Sequence, residues 1–278
     1  MAVIARSPSS SAPAPRPVPG SGLARVFEHR LMTYRRTFRS TIFTSFVTPT
    51  LFLFAMGLGL GSYVDNGNTS SLGGISYLVF LAPGLLAASA MNSASFEATF
   101  PIMSGLLWSR IYHAMFATPI SARDVTLGNL AFIAMRLTLI ATVFTIVIVA
   151  FGAADSPLIV LAIPAAVLTG LAFAAPIAAF SATQKTPIKF NALFRFVITP
   201  LFLFSGTFFP VSSLPPVMQA LAWLTPLYHG VSLTRGLSLG TISADPLAAV
   251  VDVVFLSAFV IAGTYFAIRT IGARLVRG

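Results

Sequence analysis

Residues 126–151 read TLGNLAFIAMRLTLIATVFTIVIVAF, an apolar run whose only charged residue is Arg136. At about 1.5 Å of rise per residue, a helix of this length can cross a hydrocarbon core of about 30 Å. Five similar stretches fill most of the remaining chain, so we expect an all-α, polytopic membrane protein with six transmembrane helices. The predicted spans are Ile42–Ser62, Tyr77–Phe100, Thr126–Phe151, Leu158–Phe180, Phe194–Pro210 and Leu247–Ile268.

The composition also indicates a protein that faces lipid. Hydrophobic residues make up 56% of the 278 residues and charged residues only 9%, whereas soluble proteins carry about 25% charged residues. The net charge is +10, but the basic residues lie beside the apolar stretches, which argues against a nucleic-acid partner. The chain has no cysteine, which excludes disulfides, thiolate metal sites and cysteine nucleophiles.

The distribution of Lys and Arg predicts the orientation in the membrane. Nearly all of the 17 basic residues lie before the first predicted span, in the second loop, in or beside the fourth loop, or at the carboxyl end. The opposite side carries Arg235 alone. The positive-inside rule therefore places both termini in the cytoplasm, and an even number of spans requires the same.

The amino-terminal region divides into two parts. Residues 1–22 are rich in Pro, Ser and Ala, and they contain too little apolar surface to fold, so we expect a disordered cytoplasmic tail. From Leu23 to Arg39, apolar residues recur at three- and four-residue spacing while arginines take other faces. This pattern predicts an amphipathic helix in the membrane interface, with a solvated basic helix as the alternative.

Two loops are longer than a simple connection needs. The cytoplasmic loop 104–124 has aromatic residues at helical spacing, which predicts a short amphipathic helix with an exposed aromatic face. The external segment 211–241 is apolar but is interrupted by Pro215, Pro216 and Pro226. It therefore predicts broken re-entrant or interfacial helices rather than a further span.

The sequence offers little for catalysis. Neither Lys185 nor Lys189 follows a glycine, so the chain lacks the Gly-Lys-Ser/Thr motif that binds ATP phosphates. The three histidines are far apart in the predicted topology, and none has a second ligand at metal spacing. No pair of carboxylates suggests a general acid and base. We expect no enzymatic site, metal or cofactor on this chain.

Charged residues are rare within the predicted spans. Arg136 lies about ten residues into the third span, where a charge is a candidate for a functional role. Its structural alternative is an ion pair with Glu97, near the cytoplasmic end of the second span, and both interpretations stay open. Asp252 lies near the outer edge of the sixth span and is interpreted as a hydrated boundary residue.

The order of these features resembles the type-2 exporter permeases of the ATP-binding cassette (ABC) transporters. Within that family the chain is most similar to permeases of nodulation-factor lipo-oligosaccharide exporters and, less closely, of daunorubicin-type drug exporters. The resemblance covers residues 23–278, which implies one permease domain. The matching segments are Leu81–Leu85, Ser89–Met91, Phe96–Glu97, Ala114–Met115, Thr118–Pro119, Asp124–Val125, Leu127–Gly128, Ser205–Gly206, Phe209–Pro210, Leu214–Pro215 and Pro226–Leu227.

The resemblance implies a permease dimer, homo- or heteromeric, in a bacterial inner membrane. Each copy would bind a separate ATP-binding cassette subunit, which would hold the ATP and Mg. The cargo implied is amphiphilic, either a glycolipid such as a lipo-oligosaccharide or a hydrophobic drug. An ion-driven secondary carrier and a membrane scaffold that does not transport are the alternative functions.

Site residues are carried over from the family by position. The aromatic face of the cytoplasmic loop would contact the ATP-binding subunit, or alternatively pack on its own bundle. The first and fifth spans would form the dimer seam and line the path, although the same residues could face lipid. The coupling set is Trp108, Arg110, Ile111, Tyr112, Met115, Phe116 and Arg123, and the path set is Phe43, Phe46, Phe52, Phe54, Gly57, Phe202, Phe204, Gly206 and Phe208.

Overall fold

The structure is a computed structural model that describes residues 21–35, 43, 47, 50–61, 63 and 74–277. Across these residues the regular secondary structure is entirely helical, which confirms the all-α prediction. The predicted tail 1–22 lies outside the described residues except for Ser21 and Gly22. The α-helices are α1 Gly22–Arg35, α2 Tyr77–Met103, α3 Ile111–Phe116, α4 Ala122–Ala150, α5 Ala162–Thr183, α6 Ile188–Leu193, α7 Thr199–Phe204, α8 Pro216–Trp223, α9 Pro226–Leu239 and α10 Pro246–Arg277.

Short helical turns of other types extend or join these helices. A π-helical turn is wider than an α-turn and commonly appears as a single insertion in a longer helix. One such turn continues α2 and another joins α6 to α7. The π-turns are Phe54–Leu60, Ser104–Trp108 and Phe194–Ile198, and the 3-10 turns are Pro157–Leu161, Val211–Ser213 and Thr241–Ser243.

Four described helical stretches are long and apolar enough to cross a membrane. They correspond to the predicted second, third, fourth and sixth spans, and each is longer than predicted. The additional residues lie at the ends of the predicted spans. The four stretches are Tyr77–Trp108, Ala122–Ala150, Pro157–Thr183 and Pro246–Arg277.

The two other predicted spans have a different outcome. The first, Ile42–Ser62, lies partly outside the described residues, and its part at 50–61 is helical. The fifth, Phe194–Pro210, is wrong at its carboxyl end, because the helical run that begins at Ile188 stops at Phe204. Gly206 follows with a φ of 84°, a left-handed conformation that favours glycine and turns the chain. The six-span count stays a prediction.

Helix α5 is central and packs against α2, α4, α9 and α10. Small residues allow these close contacts. A Cβ added at Gly263 of α10 would lie 2.6 Å from the Pro176 ring in α5, and one at Gly170 of α5 would lie 2.5 Å from Leu137 of α4. Close approach through small residues is typical of helices packed in membranes.

Helix α1 packs on α4 along part of its apolar face. Val26 is buried beside Gly128, where an added Cβ would clash with the valine side chain. The rings of Tyr34 and Phe132 meet edge to face, with centroids 5.8 Å apart. Val26 and Tyr34 are thus buried within the protein, and the interfacial position of the helix stays a prediction.

The prolines of the segment 211–241 begin helices instead of only interrupting them. Pro216 and Pro226 are the first residues of α8 and α9, a position where the missing N–H of proline costs no helical hydrogen bond. Helix α9 packs against α2 and α5. The Thr234 hydroxyl donates to the Pro83 carbonyl at 2.9 Å. Two helices are thus present as predicted, while their re-entrant position stays a prediction.

Candidate functional site

The loop between α2 and α4 contains the predicted short helix, α3. The helix begins only at Ile111, because Arg110 has a left-handed φ of 49° that separates it from the preceding π-turn. Trp108 at the end of that turn is 62% exposed, and Phe116 at the end of α3 is 36% exposed. Of the predicted coupling set, Trp108, Arg110, Phe116 and Arg123 are exposed, and Ile111 and Met115 are partly buried.

Tyr112 is not part of the exposed face but packs on its own bundle, which is the alternative that the sequence left open for the aromatic face. Its side chain is only 2% exposed. The hydroxyl donates to Asn129 Oδ1 of α4 at 2.8 Å. The ring lies against Gly105, where an added Cβ would come within 2.2 Å of it. Burial raises the pKa of the Tyr112 phenol, while Arg30 and the bond to Asn129 act in the opposite direction.

The burial of Tyr112 could not be predicted from helical spacing. The spacing places Tyr112 and Phe116 on the same side of a helix, but it does not show whether that side faces solvent or the rest of the protein. The signal that could have found it is Gly105, seven residues earlier. Glycine in a helix leaves space for a large side chain to approach the backbone. The tyrosine therefore connects α3 both to the end of α2 and to α4.

Glu97 binds two arginines from different helices. Its carboxylate accepts from Arg30 of α1 at 2.9 Å and forms the expected ion pair with Arg136 of α4. The two guanidinium groups also contact aromatic faces, with Arg30 4.6 Å from the Phe132 centroid and Arg136 5.7 Å from the Tyr34 centroid. The cluster joins α1, α2 and α4 and carries one excess positive charge.

Arg30 is a member of this cluster that the sequence analysis missed. It lies four residues after Val26 and four before Tyr34, so it belongs to the same stripe of α1 that is buried against α4. An arginine on the apolar stripe of an amphipathic helix is a signal for a buried partner. Its partner, Glu97, is the residue that the sequence offers as a possible partner of Arg136.

The predicted path residues meet in part. Phe52 and Phe208 lie with ring centroids 6.2 Å apart, and Phe202 and Phe208 with centroids 5.0 Å apart. This places the described part of the first predicted span beside the fifth. Phe43 and Phe54 are exposed, at 67% and 57%, and Phe204 is 38% exposed. Phe46 lies outside the described residues.

The two glycines of the path set have local roles within the chain. A Cβ on Gly57 would lie 2.4 Å from the Leu78 side chain, so this glycine permits close contact with α2. Gly206 lies in the bend after α7 rather than in a helix, and its carbonyl accepts from Arg235 Nη2 at 2.8 Å. Neither contact needs a second copy of the chain.

Asp252 is buried, so its interpretation as a hydrated boundary residue is wrong. Only 5% of the residue is exposed. Its Oδ1 lies 2.7 Å from Nδ1 of His229, whose Nε2 lies 2.9 Å from the Trp223 carbonyl oxygen. The pair joins α9 to α10 and holds the end of α8, which is a structural use of both polar groups.

The side chains described above form contacts between helices or lie on the surface of the loop between α2 and α4. Within the described part of the chain, no three His, Cys, Asp or Glu side chains are close enough to share a metal ion. Several buried polar side chains bind across helices, and two exposed aromatic side chains, Trp108 and Phe116, lie on the loop between α2 and α4. Through Tyr112 this loop is attached to both α2 and α4.

Comparison with known proteins identifies the family. The model of the ABC-2 type transporter family matches residues 24–239. Nodulation protein J of Rhizobium leguminosarum bv. trifolii is 32% identical over 80% of this chain and 84% of its own length. Nodulation protein J of Sinorhizobium fredii is 34% identical over 76% of this chain and 78% of its own.

A more distant relative is the inner membrane transport permease YadH of Escherichia coli, 25% identical over 85% of this chain and 91% of its own length. The family model covers well over half of the chain and includes most of α1 and all of α2 to α9. It therefore contains both the loop helix α3 and the Glu97 cluster. The resemblance read from the sequence is confirmed: this chain belongs to the ABC-2 type transporter family of membrane permeases.

Proposed function

We propose that this chain is the membrane subunit of an exporter that moves an amphiphilic cargo outward with ATP hydrolysed by a separate subunit. The observation that carries the proposal is the exposed aromatic surface of the loop between α2 and α4 in a member of the ABC-2 family. The absence of a phosphate-binding motif from the sequence is consistent with ATP being bound elsewhere. The chain itself then needs no catalytic residue.

The proposed contact surface for the ATP-binding subunit consists of Trp108, Phe116 and the residues around them. Exposed aromatic side chains are enriched at protein interfaces because they bury much apolar area. Arg110 and Arg123 are exposed nearby and would form a charged rim. Ile111 and Met115 are half-buried and would form the base of this contact surface.

Tyr112 would transmit movement from this surface. A force on α3 reaches α4 through the bond to Asn129 and reaches the end of α2 through the contact with Gly105. Closely packed side chains move as units because interiors are dense. ATP-driven closure of two partner subunits would therefore move α2 and α4 together with the loop.

The cargo path and the dimer seam are proposed at the segments around 50–61 and 194–204. Apolar side chains there are exposed, among them Leu51 at 62% and Phe196 at 72%. Exposed apolar surface of this kind is suited to lipid, to a second permease copy, or to an apolar part of a cargo. The second permease copy is either identical to this chain or a different permease.

The proposed location is a bacterial inner membrane, with both termini in the cytoplasm. The charge distribution supports this orientation, and the Escherichia coli relative is named an inner membrane transport permease. The resemblance to nodulation-related permeases favours a glycolipid cargo, and a hydrophobic drug is the alternative.

The proposal is tested by purifying the full chain from its native membrane in mild detergent and identifying stoichiometric partners. We expect an ATP-binding subunit to co-purify. The double variant Trp108→Asp/Phe116→Asp should reduce its recovery by at least about tenfold while the permease itself is recovered normally. The control is Val276→Asp, which changes an apolar residue that is 74% exposed near the end of α10.

Three results would contradict the proposal. Equal recovery of the partner with the double variant would remove the contact surface. Flux driven by a proton gradient, in liposomes that contain the chain alone, would favour the ion-driven carrier. A partner without an ATP site, together with no flux in any format, would favour the scaffold.

A further inference from the structure

A large cavity lies at the end of the bundle opposite to α3. It has a volume of about 620 Å³, which is within the range of small-molecule sites. Phe80 near the start of α2 and Ala249 near the start of α10 form part of its wall, and most of the rest comes from α8, α9 and the segments beside them. Since α3 follows the other end of α2, the cavity is separated from the proposed contact surface by the length of that helix.

The wall carries a basic side chain, Arg235 of α9, which is half-buried. Burial lowers the pKa of Arg235 to about 10, with Tyr228 acting in the opposite direction, so the guanidinium still carries its charge at neutral pH. Loss of hydration disfavours the charged form, and a nearby anion would offset that effect. The charge of Arg235 therefore needs a partner.

The described part of the chain does not supply a counterion for this arginine. No ion pair among the described residues contains Arg235. The chain has seven acidic residues, and Asp65 is the one that lies outside the described residues. A partly buried charge without a partner is costly, so a bound anion would stabilise the protein here.

Backbone carbonyls and an aromatic ring hold the guanidinium in place. Nε of Arg235 donates to the Phe80 carbonyl at 3.1 Å, and Nη2 donates to the Gly206 carbonyl at 2.8 Å. The guanidinium carbon lies 3.8 Å from the centroid of the Phe80 ring. These groups orient the side chain but carry no net negative charge. Nη1 donates to none of the described residues, so its two N–H groups are available to a ligand.

Two carboxylates line the cavity, but neither compensates the arginine. Nε2 of His229 lies 2.9 Å from the Trp223 carbonyl oxygen, which can only accept, so Nε2 carries a proton. A second proton must lie between Nδ1 and Asp252 Oδ1, which are 2.7 Å apart, and the pair is neutral overall whichever atom holds it. Asp245 is exposed and accepts from the Ala248 N–H at 3.1 Å, so solvent and the start of α10 stabilise its charge.

Ser232 lies on the same face of α9 as the unpaired guanidinium. Tyr228, Ser232 and Arg235 are separated by four and then three residues, a spacing that places side chains on one face of a helix. All three line the cavity. The Ser232 hydroxyl forms no hydrogen bond with a described residue, so it can donate to the same ligand as Nη1. A guanidinium beside a hydroxyl suits the oxygens of a carboxylate or a phosphate.

We propose that Arg235 and Ser232 bind an oxyanion, a phosphate or carboxylate group, in this cavity. The oxyanion accepts from Nη1 of Arg235 and from the hydroxyl of Ser232, and it supplies the negative charge that the described residues do not. A free anion and an anionic lipid headgroup share this chemistry. The inference goes beyond the proposed function and does not depend on it, because binding needs neither ATP nor the partner subunit.

The test uses the full chain in a neutral detergent and the fluorescence of Trp223, which lines the cavity. The chain has two tryptophans, and a Trp108→Phe background leaves Trp223 as the reporter. Inorganic phosphate is the titrant, and sodium chloride at equal ionic strength is the control for screening. We expect a saturable change with phosphate and none with chloride.

Two arginine variants form the first comparison. Arg235→Gln should weaken phosphate binding by at least about tenfold, because it removes a charged hydrogen-bond donor. The matched control is Arg277→Gln, which changes an exposed arginine at the other end of α10. The control should bind phosphate as the unchanged chain does, and size-exclusion profiles show whether each variant is folded.

A second comparison retains Arg235 and so stays valid if Arg235→Gln does not fold. Ser232→Asp places a carboxylate three residues before the arginine, where it can act as an internal counterion. Without any ligand it should raise the apparent melting temperature by about 2–4 °C, and it should weaken phosphate binding by at least about tenfold. Ser232→Asn has the same shape without the charge and should not raise the melting temperature.

A lipid arm identifies the source of the oxyanion. The chain is placed in nanodiscs of phosphatidylcholine, whose phosphate is already paired with its own choline, with or without phosphatidylglycerol. If the source is a lipid headgroup, phosphatidylglycerol raises the melting temperature of the unchanged chain but not of Arg235→Gln, and it suppresses the response to phosphate. If the source is a free anion, the response to phosphate is the same in both lipid mixtures.

The inference is overturned if neither phosphate nor phosphatidylglycerol distinguishes Arg235→Gln from Arg277→Gln in folded protein. It is also overturned if Ser232→Asp is no more stable than Ser232→Asn. Phosphate binding that appears only in an Asp65→Asn variant would likewise overturn it, because Arg235 would then have an internal counterion. Failure of the proposed function is read separately, from loss of the ATP-binding subunit in co-purification.

Discussion

The hydroxyl of Tyr112 donates a 2.8 Å hydrogen bond to the side-chain oxygen of Asn129. Asn129 is itself 2% exposed and donates to the Val125 carbonyl one turn earlier in α4. A buried polar pair of this kind is specific, because either partner left alone would lose its hydrogen bond away from water. The hydrogen bond attaches α3 to α4, so α3 is not a free surface helix.

Tyr112→Phe should therefore weaken the attachment of α3 without changing its exposed face. We expect the loss of the bond, with Asn129 left unpaired, to lower stability by about 1–3 kcal/mol. Transport per ATP hydrolysed should fall, while partner recovery stays normal. Thermal denaturation in nanodiscs and coupled ATPase and flux assays measure the two effects. Unchanged stability and coupling would show that the bond has no such role.

The Glu97 cluster predicts an unequal effect of two neutralising changes. Glu97→Gln leaves the guanidiniums of Arg30 and Arg136 partly buried without their shared anion, which we expect to cost about 3–5 kcal/mol. Arg30→Met leaves the pair of Glu97 and Arg136 and removes the excess charge, so it should be milder. Folded yield and apparent melting temperature test this order. Normal yield with altered transport in Glu97→Gln would instead assign the cluster a functional role.

Two glycines of α10 form a matched pair of positions that tests how closely α10 packs on α5. Gly263→Ala places a Cβ 2.6 Å from the Pro176 ring of α5, whereas Gly272→Ala places it 3.4 Å from Ala122. We expect the first change to destabilise the protein by about 1–3 kcal/mol, and the second to be close to neutral because alanine favours helix. The monodisperse fraction after heating distinguishes them. A similar loss in both would contradict the close contact of α10 with α5.

The His229 and Asp252 pair predicts that α9 and α10 are joined through it. Asp252→Leu should remove the acceptor at Nδ1 of His229 and lower stability by about 3 kcal/mol or more. Asp155→Asn is the control, since that carboxylate is exposed. Limited proteolysis near 240–245 reports whether the connection between α9 and α10 opens. Equal protection in both variants would show that the pair does not hold it.

Part of the fold could be predicted because one physical rule dominates it. Backbone polar groups in lipid must be bonded within their own segment, so the long apolar run at 126–151 had to be helical, and α4 spans Ala122–Ala150. The loop helix was also predictable, from its spacing. The end of the fifth predicted span could not be predicted, because apolar residues continue past Phe204 while Gly206 turns the chain.

The sequence by itself determined the all-helical class and the family, since hydropathy and the order of local motifs depend only on neighbouring residues. Tertiary structure alone decided the roles of Tyr112, Arg30 and Asp252. Each is polar or amphipathic and could face water or protein, and its partner lies 17, 67 or 23 residues away. Such contacts depend on how separate helices meet, which periodicity within one helix does not contain.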